Sequence, residues 1–414
     1  MVDSLDKIVS LCKRRGFIFP SSEIYGGLSA VYDYGPLGVE LKNNIKKLWW
    51  QDIVYKRDNV VGLDAAIFMN KKVWEASGHT TLFTEEFEGR PFNLMFETYH
   101  REKQKKNLIY LRPETAQGVF VNYLNILDTQ RAKLPFGIAQ IGKSFRNEVT
   151  PEHFLIKILE FEQMELEYFV SESEAEKCYN FWRNERLNWY LNLGIKKENL
   201  RLKEHSNDEL AHYAKACTDV EYRFPFGWKE IEGIANRGDY DLRQHQKFSG
   251  QNFPQPLPYI VESSSGIDRI FLALLCDAYC EVRGGRTKTT KPTKEIEVVL
   301  RLNPKLSPVK VAVLPLIKKP QLIKIAKQIK TRLSENFLVQ YDEKDSIGRR
   351  YRRQDEIGTP ICITVDFESI ENQDVTLRDR DSMNQIRVKI NRLAEIIPQI
   401  LAGQKIEKFG KIIK

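Results

Sequence analysis

The stretch FRNEVTPEHFLIKILEFEQMELEYFV, Phe145 to Val170, reads as two strands joined by a short loop, yet it carries Arg146, Glu148, Lys157, Glu160, Glu162, Glu165 and Glu167. Side chains alternate between the two faces of a strand. Arg146 and Glu148 therefore share a face with Gln140, Gly142 and Ser144, and Phe161, Gln163, Glu165 and Glu167 share a face on the second strand. A sheet with one solvated side and cross-strand ion pairs would account for this hairpin alone. Three more polar constellations point to chemistry. YLRPETAQGVF brings Arg112, Glu114, Thr115 and Gln117 together, and GWKEIEGIANRGDYDLRQH carries Glu230, Glu232, Arg237 and Asp239. PYIVESSSGIDRIFLALL ends an apolar strand in Glu262 and three serines, after which Gly266 opens a helix bearing Asp268 and Arg269. An arginine in the first turn opposes the helix dipole, which an anionic ligand would explain; Asp268 beside it is the alternative partner. The planar guanidinium fork suits two phosphate oxygens and stays charged. Carboxylates hold Mg2+ or an ammonium group, and Phe161 offers a ring for stacking. A ligand with a phosphate chain, a flat base and a small amine would engage all of these groups.

The elements that must position them fall into two patterns. In the first 300 residues, VELKNNIKKLWWQDIVYKRD has helical apolar spacing, and LDAAIFM, FNLMFET, FGIAQIGKSF and ILEFEQMELEYFV read as strands. SEAEKCYNFWRNERLNWYLNLG and GIDRIFLALLCDAYCEV read as helices. Strands without regular βαβ alternation favour an antiparallel sheet flanked by helices. GGRTKTTKPTKE, Gly284 to Glu295, reads as an exposed loop near a domain boundary. Beyond it, VKVAVLPL, FLVQYD, PICITVDF and DVTLRDR read as strands. QLIKIAKQIKTRLSENF, SIGRRYRRQDEIG and QIRVKINRLAEIIPQILAG read as helices, giving a small α/β domain.

The chain has 414 residues, room for two or three domains, and its 42% hydrophobic content supports a large core. No apolar run is long enough to span a membrane. The N-terminus reads as a short amphipathic helix rather than a signal peptide. Six cysteines form no CxxC pair, so a zinc knuckle has no support, and Cys276 and Cys280 read as buried free thiols one helical turn apart. A reducing, cytoplasmic setting follows. The net charge of +8 is unevenly placed: residues 301–414 hold 23 Lys and Arg against 14 Asp and Glu, so the basic surplus lies in the C-terminal quarter. A polyanion such as nucleic acid is the partner this suggests, and a solubilising surface is the alternative.

In order along nearly the entire chain, SSEIYGGLSAVYDYGPLGVELKNNIKKLWWQD, VWEASGH, FNLMF, YLRPETAQG, GKSFRNEVTP, EFEQME, EIEGIANRGDYDL, ESSSGIDR, PVKVAVLPL and VTLRDRDSMNQ resemble the homodimeric, class II glycyl-tRNA synthetase family. The resemblance implies an α+β fold. A class II catalytic domain over residues 1–300 would hold an antiparallel six- or seven-stranded sheet flanked by helices, with a shortened insertion at about 80–108 and a helical insertion at about 171–222. Residues 301–414 would form an α/β anticodon-binding domain. The implied reaction joins glycine to tRNA(Gly) through glycyl-adenylate, with ATP consumed and pyrophosphate released.

Roles carried over by the resemblance are as follows. Arg146 would grip the α-phosphate and Arg269 the γ-phosphate, and these two would carry catalysis. Asn147, Glu148, Ile156, Lys157, Phe161, Glu230, Ile231, Gly266, Ile267 and Asp268 would complete the ATP site, with adenine stacked on Phe161. Glu114, Phe161, Glu162, Gln163, Met164, Glu165, Glu262, Ser263, Ser264, Ser265 and Gly266 would surround glycine. Mg2+ would arrive with ATP, Glu230 being a candidate ligand, and no zinc is expected. Arg349, Arg350, Arg352 and Arg353, on one expected helix, would meet tRNA. A homodimer without membrane attachment is implied.

The chain also departs from the family. Only TTLFTEEFEGRP fills the gap between SGH and FNLMF, where a longer, often cysteine-bearing insertion is usual. Lys157, Ile158 and Leu159 stand where RTR is typical, Lys71 replaces a proline, and Ser263 follows Glu262 where proline is usual. These changes keep open a non-catalytic, nucleic-acid-binding relative of the polymerase accessory-subunit type. Such relatives tend to lose the ATP residues, whereas Arg146, Phe161 and Arg269 are present here.

Overall fold

The polar stretches converge on one sheet. The computed structural model describes residues 2–102, 105–211, 213–284, 286 and 296–413. Packing separates two units: Pro20–Asp33 with Ile45–Ala273, and Met1–Phe19 with Tyr34–Asn44 and Leu274–Lys414.

The first unit is built on seven strands: β1 (Val60–Leu63), β2 (Phe136–Phe145), β3 (Glu160–Val170), β4 (Leu200–Glu204), β5 (Ala216–Phe224), β6 (Gly227–Gly238) and β7 (Tyr259–Gly266). Their order across the sheet is β4-β5-β6-β7-β3-β2-β1, antiparallel except for the β1–β2 pair. Helices α1 (Ala116–Val121), α2 (Ala175–Leu193), α3 (Tyr240–Ser249) and α4 (Ile267–Ala278) accompany it. Ala116, Val119 and Phe120 of α1 and Leu242 of α3 join Phe136, Ile138, Phe169 and Ile260 of the strands in one apolar cluster. On the opposite face, α2 packs on β6 and β7.

Some sequence expectations fail for local reasons. LDAAIFM is not a strand beyond Leu63. The backbone of Ala65 is taken by side chains instead: its N–H donates to Gln140 Oε1 at 2.7 Å, and its carbonyl accepts from Arg112 Nη1 at 2.7 Å. FNLMFET is split between the strands Arg90–Asn93 and Glu97–Glu102. The shortened insertion holds a hairpin, Thr84–Phe87 against Arg90–Asn93, followed by the antiparallel pair Glu97–Glu102 and Lys105–Tyr110. Glu88 and Gly89 at its tip both have positive φ, 51° and 77°, as a tight two-residue turn requires. The stretch 171–222 holds α2, but then β4 and most of β5, whose Thr218, Val220 and Tyr222 are buried at period two. The connection between β2 and β3 is a long loop from Arg146 to Leu159, not a short one.

The second unit holds a five-stranded sheet of β8 (Val311–Pro315), β9 (Val339–Tyr341), β10 (Ile361–Val365), β11 (Asp374–Asp379) and β12 (Gln385–Lys389), in the order β9-β8-β10-β11-β12. β8 runs parallel to β9 and β10; β11 and β12 are antiparallel. Helices α5 (Pro320–Leu333), α6 (Ile347–Glu356) and α7 (Leu393–Leu401) complete it. α5 starts with proline at its first turn and buries Leu322, Ala326, Ile329 and Leu333 at helical spacing. The expected closing helix begins later than its sequence suggested, because Ile386 and Val388 alternate inward as strand β12. The N-terminal helix Leu5–Arg15 is capped by Ser4, which accepts the Asp6 N–H, and stopped by Gly16 at φ 74°. All six cysteines are free; Cys276 is buried on α4, while Cys280 lies on the strand Tyr279–Arg283 rather than on the same helix. Apart from its start and Arg286, the loop Gly284 to Glu295 lies outside the described residues. No described helix is long and apolar enough to cross a membrane.

Candidate active site

Strand register assembles the site. On one face of the sheet, Gln140 of β2 lies opposite Glu165 of β3, Glu165 opposite Ser264 of β7, Ser264 opposite Gly233 of β6, and Gly233 opposite Asp219 of β5. The adjacent row runs Glu167, Glu262, Ala235, Cys217. The polar alternation of β3 therefore faces a pocket, with Gln163, Glu165 and Glu167 all buried. Glu165 is held in place by neighbours. Ser264 Oγ and Gln163 Nε2 donate to its Oε1 at 2.6 and 2.8 Å, and Thr115 Oγ1 donates to its Oε2. Burial first, then the charges of Glu262 and Glu114, push the Glu165 carboxyl up to about 7 against those hydrogen bonds. Burial also raises Glu262, although Arg237 opposes this by donating to its Oε2 at 2.8 Å. Glu114 behaves oppositely: burial works against its charge, but His79, Arg237 and Gln117 outweigh burial and hold its carboxyl below the usual range. A buried concentration of carboxylates with so few cations invites a cationic guest.

Beside it lies the arginine end. The Arg146 side chain donates from Nε to the Pro113 carbonyl at 3.1 Å, and its guanidinium sits 5.3 Å from the ring centroids of both Phe161 and Phe83. No described carboxylate pairs with it. Arg269, at the start of α4, donates to the Ile156 carbonyl at 3.1 Å and to Glu230 Oε2 at 2.8 Å. A cavity of about 120 Å3 is lined by Arg146, Arg269, Phe161, Glu148, Lys157 and Glu230 among others, and one of about 240 Å3 by Glu114, Glu165, Glu262, Tyr213 and Arg237 among others. Arg146, Gln163, Glu230 and Ser264 line both, so the two cavities adjoin.

Residues 96–279 match the model of the tRNA synthetase class II core domain (G, H, P, S and T), and residues 310–400 match the anticodon binding domain. The glycine–tRNA ligase of Borrelia hermsii is 49% identical, with 94% of this chain and 96% of that protein covered. That of Borreliella afzelii is 46% identical over 97% and 98%, and that of Staphylococcus epidermidis 46% over 96% and 99%. The chain belongs to the glycine–tRNA ligase family. Two structures of prolyl-tRNA synthetase from Cryptosporidium parvum, solved with L-proline and AMP and with halofuginone and AMPPNP, share its fold. Their TM-scores are 0.67 and 0.69 at 18% identity, covering 95% and 96% of this chain and 74% and 77% of those chains.

Of the residues expected by resemblance to this ligase family, Arg146, Glu148, Ile156, Lys157, Phe161, Glu230, Gly266, Asp268 and Arg269 line the arginine cavity together with Gln163 and Ser264. Glu114, Glu165 and Glu262 line the carboxylate cavity. Several others point elsewhere. Glu162 and Met164 lie on the opposite face of β3: Glu162 pairs with Lys46 at 3.1 Å, and Met164 is fully buried. Ser263 and Ser265 are likewise on the far face of β7, where Ser263 donates to Glu232 and Ser265 to the Met164 carbonyl at 3.2 Å. Ile231 and Ile267 are fully buried, and Asn147 is engaged through its backbone N–H with the Leu94 carbonyl at 2.8 Å. The side chains of these six residues, Glu162, Met164, Ser263, Ser265, Ile231 and Ile267, do not line either cavity. Asp268 accepts the Glu162 N–H at 2.9 Å, tying α4 to β3.

The ligase site also contains groups that sequence patterning did not assign. Strict alternation would put Glu230 and Glu232 on one face. A bulge opposite Val220 and Glu221 makes Ile231 the extra residue, so Glu230 faces the cavity and Glu232 turns beneath the sheet to Arg186 Nε at 2.6 Å and the Tyr190 hydroxyl at 2.6 Å. Arg112 is not a ligand group either: it bonds the Ala65 and Lys143 carbonyls, and a Cβ on Gly142 would sit 2.2 Å from its Nη2. Arg237 is the missed cation, donating to Asp241 at 2.8 and 2.9 Å as well as to Glu262. His205, Cys217 and Asp219, whose ligand atoms lie within 4.8 Å of one another, line the same cavity, with His205 Nε2 and Asp219 Oδ2 2.8 Å apart. Lys157, in place of a family arginine, pairs with Glu85 of the short hairpin at 2.8 Å and with Glu148 at 3.2 Å.

In the second unit, the four arginines of α6 do not form a free basic face. Arg350 is buried and donates to the carbonyls of Pro315, Leu316 and Asp342. Arg352 pairs with Glu297, and Arg353 with Asp342 and Asp345. Arg349 is the most exposed of the four, with Asp345 at 3.6 Å.

Proposed function

We propose that this chain is a glycine–tRNA ligase that activates glycine with ATP to glycyl-adenylate and pyrophosphate, then transfers glycine to the 3′ end of tRNA(Gly). The observation that carries this reading is the junction of the two cavities: an unpaired Arg146 beside Phe161, adjoining a buried carboxylate cluster. Adenine stacks on Phe161. The γ-phosphate takes over Arg269, displacing the Glu230 carboxylate that now occupies its fork. The glycine ammonium enters between Glu165, Glu262 and Ser264, and its carboxylate attacks the α-phosphorus in line as pyrophosphate leaves. Negative charge grows on the α-phosphate oxygens, where Arg146 meets it without reorganising. No protein nucleophile is needed, because holding the two substrates in line supplies much of the acceleration. A tRNA 3′-terminal hydroxyl then attacks the glycyl carbonyl and AMP departs. Exclusion of larger amino acids is steric, which avoids the weak discrimination available from a single methylene.

Glu148 and Glu230 border the arginine cavity, and their hard oxygens fit Mg2+; when bound with ATP, it would neutralise phosphate charge. Residues 1–300 act as the catalytic domain and 301–414 as the anticodon-binding domain, a reading supported by the family matches at 96–279 and 310–400. The family resemblance supports a cytoplasmic homodimer. Glycine-dependent ATP–pyrophosphate exchange, followed by charging of purified tRNA, tests the reading. Exchange that ignores glycine would sink it.

A further inference from the structure

Two residues apart on β3, Glu165 and Glu167 face the same side of the sheet but live differently. Glu165 receives three side-chain donors. Glu167 is fully buried, and neither of its carboxyl oxygens meets a hydrogen-bond donor among the described residues. It sits where the pocket floor gives way to oil: the next residue on its face, Phe169, belongs to the apolar cluster with Ile138, Phe120 and Leu242. The titratable groups around it are Glu262, directly opposite on β7, Glu165 on its own strand, Arg237 on β6 and Asp241 on α3; its neighbour on the β2 side is Ile138. Three N–H groups of Arg237 are engaged by Asp241 and Glu262 and none by Glu167. An ionised carboxylate with no donor, in a dry site beside another carboxylate, is strongly disfavoured. A proton removes that cost and turns the group into a donor, and Glu262 lies directly opposite Glu167 across the β3–β7 pair.

We propose that Glu167 is a positioning residue that carries a proton in the working enzyme and donates it to Glu262, fixing the carboxylate that receives the glycine ammonium. The role rests on the glycine-activation reading above. Glu262 is then gripped on one side by Arg237 and on the other by Glu167, and it remains an anion with its orientation set. The cluster also keeps one negative charge fewer than its sequence suggests. Burial and the Glu262 charge both push the Glu167 carboxyl well above its ordinary range, in keeping with this arrangement.

Two variants separate the protonated acid from its alternatives. In E167Q the amide N–H replaces the acid proton; in E167L the shape is retained and the donor is lost. The expected result is a glycine KM for E167Q within about threefold of wild type at neutral pH, against a rise of about tenfold or more for E167L, with the ATP KM of both nearly unmoved. Wild-type glycine KM should also climb at alkaline pH as Glu167 ionises, and E167Q should lose that limb. An E167Q variant as impaired for glycine as E167L, or an E167L variant as good as E167Q, would overturn the proposal. Infrared spectroscopy of the folded, substrate-free protein gives a readout that does not need activity. A buried carboxylic-acid carbonyl band should persist in wild type above neutral pH, where Glu165 has ionised, and vanish in E167Q. No such band in wild type would refute a protonated Glu167 even if both variants failed to fold. Absence of glycine-dependent exchange in wild type, with the band present, would instead refute the functional reading.

Discussion

The arginines of the seven-stranded unit and those of α6 in the other unit are the same chemical group put to opposite uses. Arg350 spends its guanidinium on three backbone carbonyls, and Arg353 spends its own on Asp342, Asp345 and the Lys344 carbonyl. Arg146 has one carbonyl contact at Nε and two aromatic rings beside it, leaving the outer edge of its fork to the cavity. Five N–H donors in a fixed plane always need acceptors. Where the fold supplies them, the arginine is part of the architecture; where it leaves them facing a cavity, water or a ligand supplies them. The density of arginine in a stretch of sequence is therefore a poor guide to binding, and the count of unmet donors is a better one.

The strongest way to break this contrast is to remove one arginine from each side. R146A should lower glycine-dependent exchange by about 10²- to 10³-fold, or roughly 3–4 kcal/mol in the activation step, while the melting temperature stays near wild type. Unchanged exchange would remove Arg146 from the phosphate site. R350A should do the reverse. Its loss leaves the Pro315, Leu316 and Asp342 carbonyls without their charged donor, at a cost of about 2–3 kcal/mol of stability in that unit. Exchange by the remaining folded protein should be nearly unaffected. A stable R350A with weakened tRNA binding would show that the buried arginine had been misassigned.

What could be read in advance follows the same division. Period-two alternation grouped Gln140, Gly142 and Ser144 with Arg146 and Glu148 on one strand, and Phe161, Gln163, Glu165 and Glu167 on the next; the register pairs the two sets, except that the first strand ends at Phe145, before Arg146 and Glu148. Glu162, Met164, Ser263 and Ser265 entered the expected site as members of contiguous motifs, and the same alternation turns their side chains to the other face of the sheet. Glu230 and Glu232 could not be separated in this way, because the bulge at Ile231 depends on a neighbouring strand distant in sequence. Arg237 was visible as a polar residue in GIANRGDYDL, but its role needs Asp241 on the next helix and Glu262 on another strand. The burial of Arg350 was not legible, because local sequence carries no information about which carbonyls will be left open at the end of β8.

The contrast extends to carboxylates and gives opposite pH signs. Glu165 is raised to about 7 by burial and by Glu262 and Glu114, so its folded-state value lies above its unfolded one. Its contribution to the stability of the substrate-free protein is full below about pH 4.5 and is lost as pH rises through about 7. Glu356 is lowered: burial opposes its charge, but Arg15 and Arg14 outweigh it. That contribution is present above the unfolded value and lost as pH falls through the folded one. The melting temperature should therefore sag by a few degrees from about pH 5 to pH 8, an effect that E165Q flattens and saturating glycine offsets. E356Q should instead remove part of the acid-side loss. A glycine-induced stabilisation that does not grow with pH over that range would argue against an ammonium on Glu165.

The smallest expected effect tests the one α6 arginine whose partner is loose. Arg349 has 58% of its side chain exposed, and its carboxylate, Asp345, is 3.6 Å away. Such a surface pair contributes between nothing and about 1 kcal/mol to folding, so R349A should melt within about a degree of wild type. If the guanidinium leaves Asp345 for an RNA phosphate, the variant should bind tRNA about two- to fivefold more weakly, and the slope of log affinity against log salt should shrink by a little under one unit. R353A is the internal comparison. Its guanidinium is committed to Asp342, Asp345 and a carbonyl, so its removal should cost stability first. Equal salt slopes for R349A and wild type would leave α6 without an RNA contact from this group of four and would move the search to the other basic surfaces of residues 301–414. A reduced slope with unchanged melting would separate one arginine that binds from three that build.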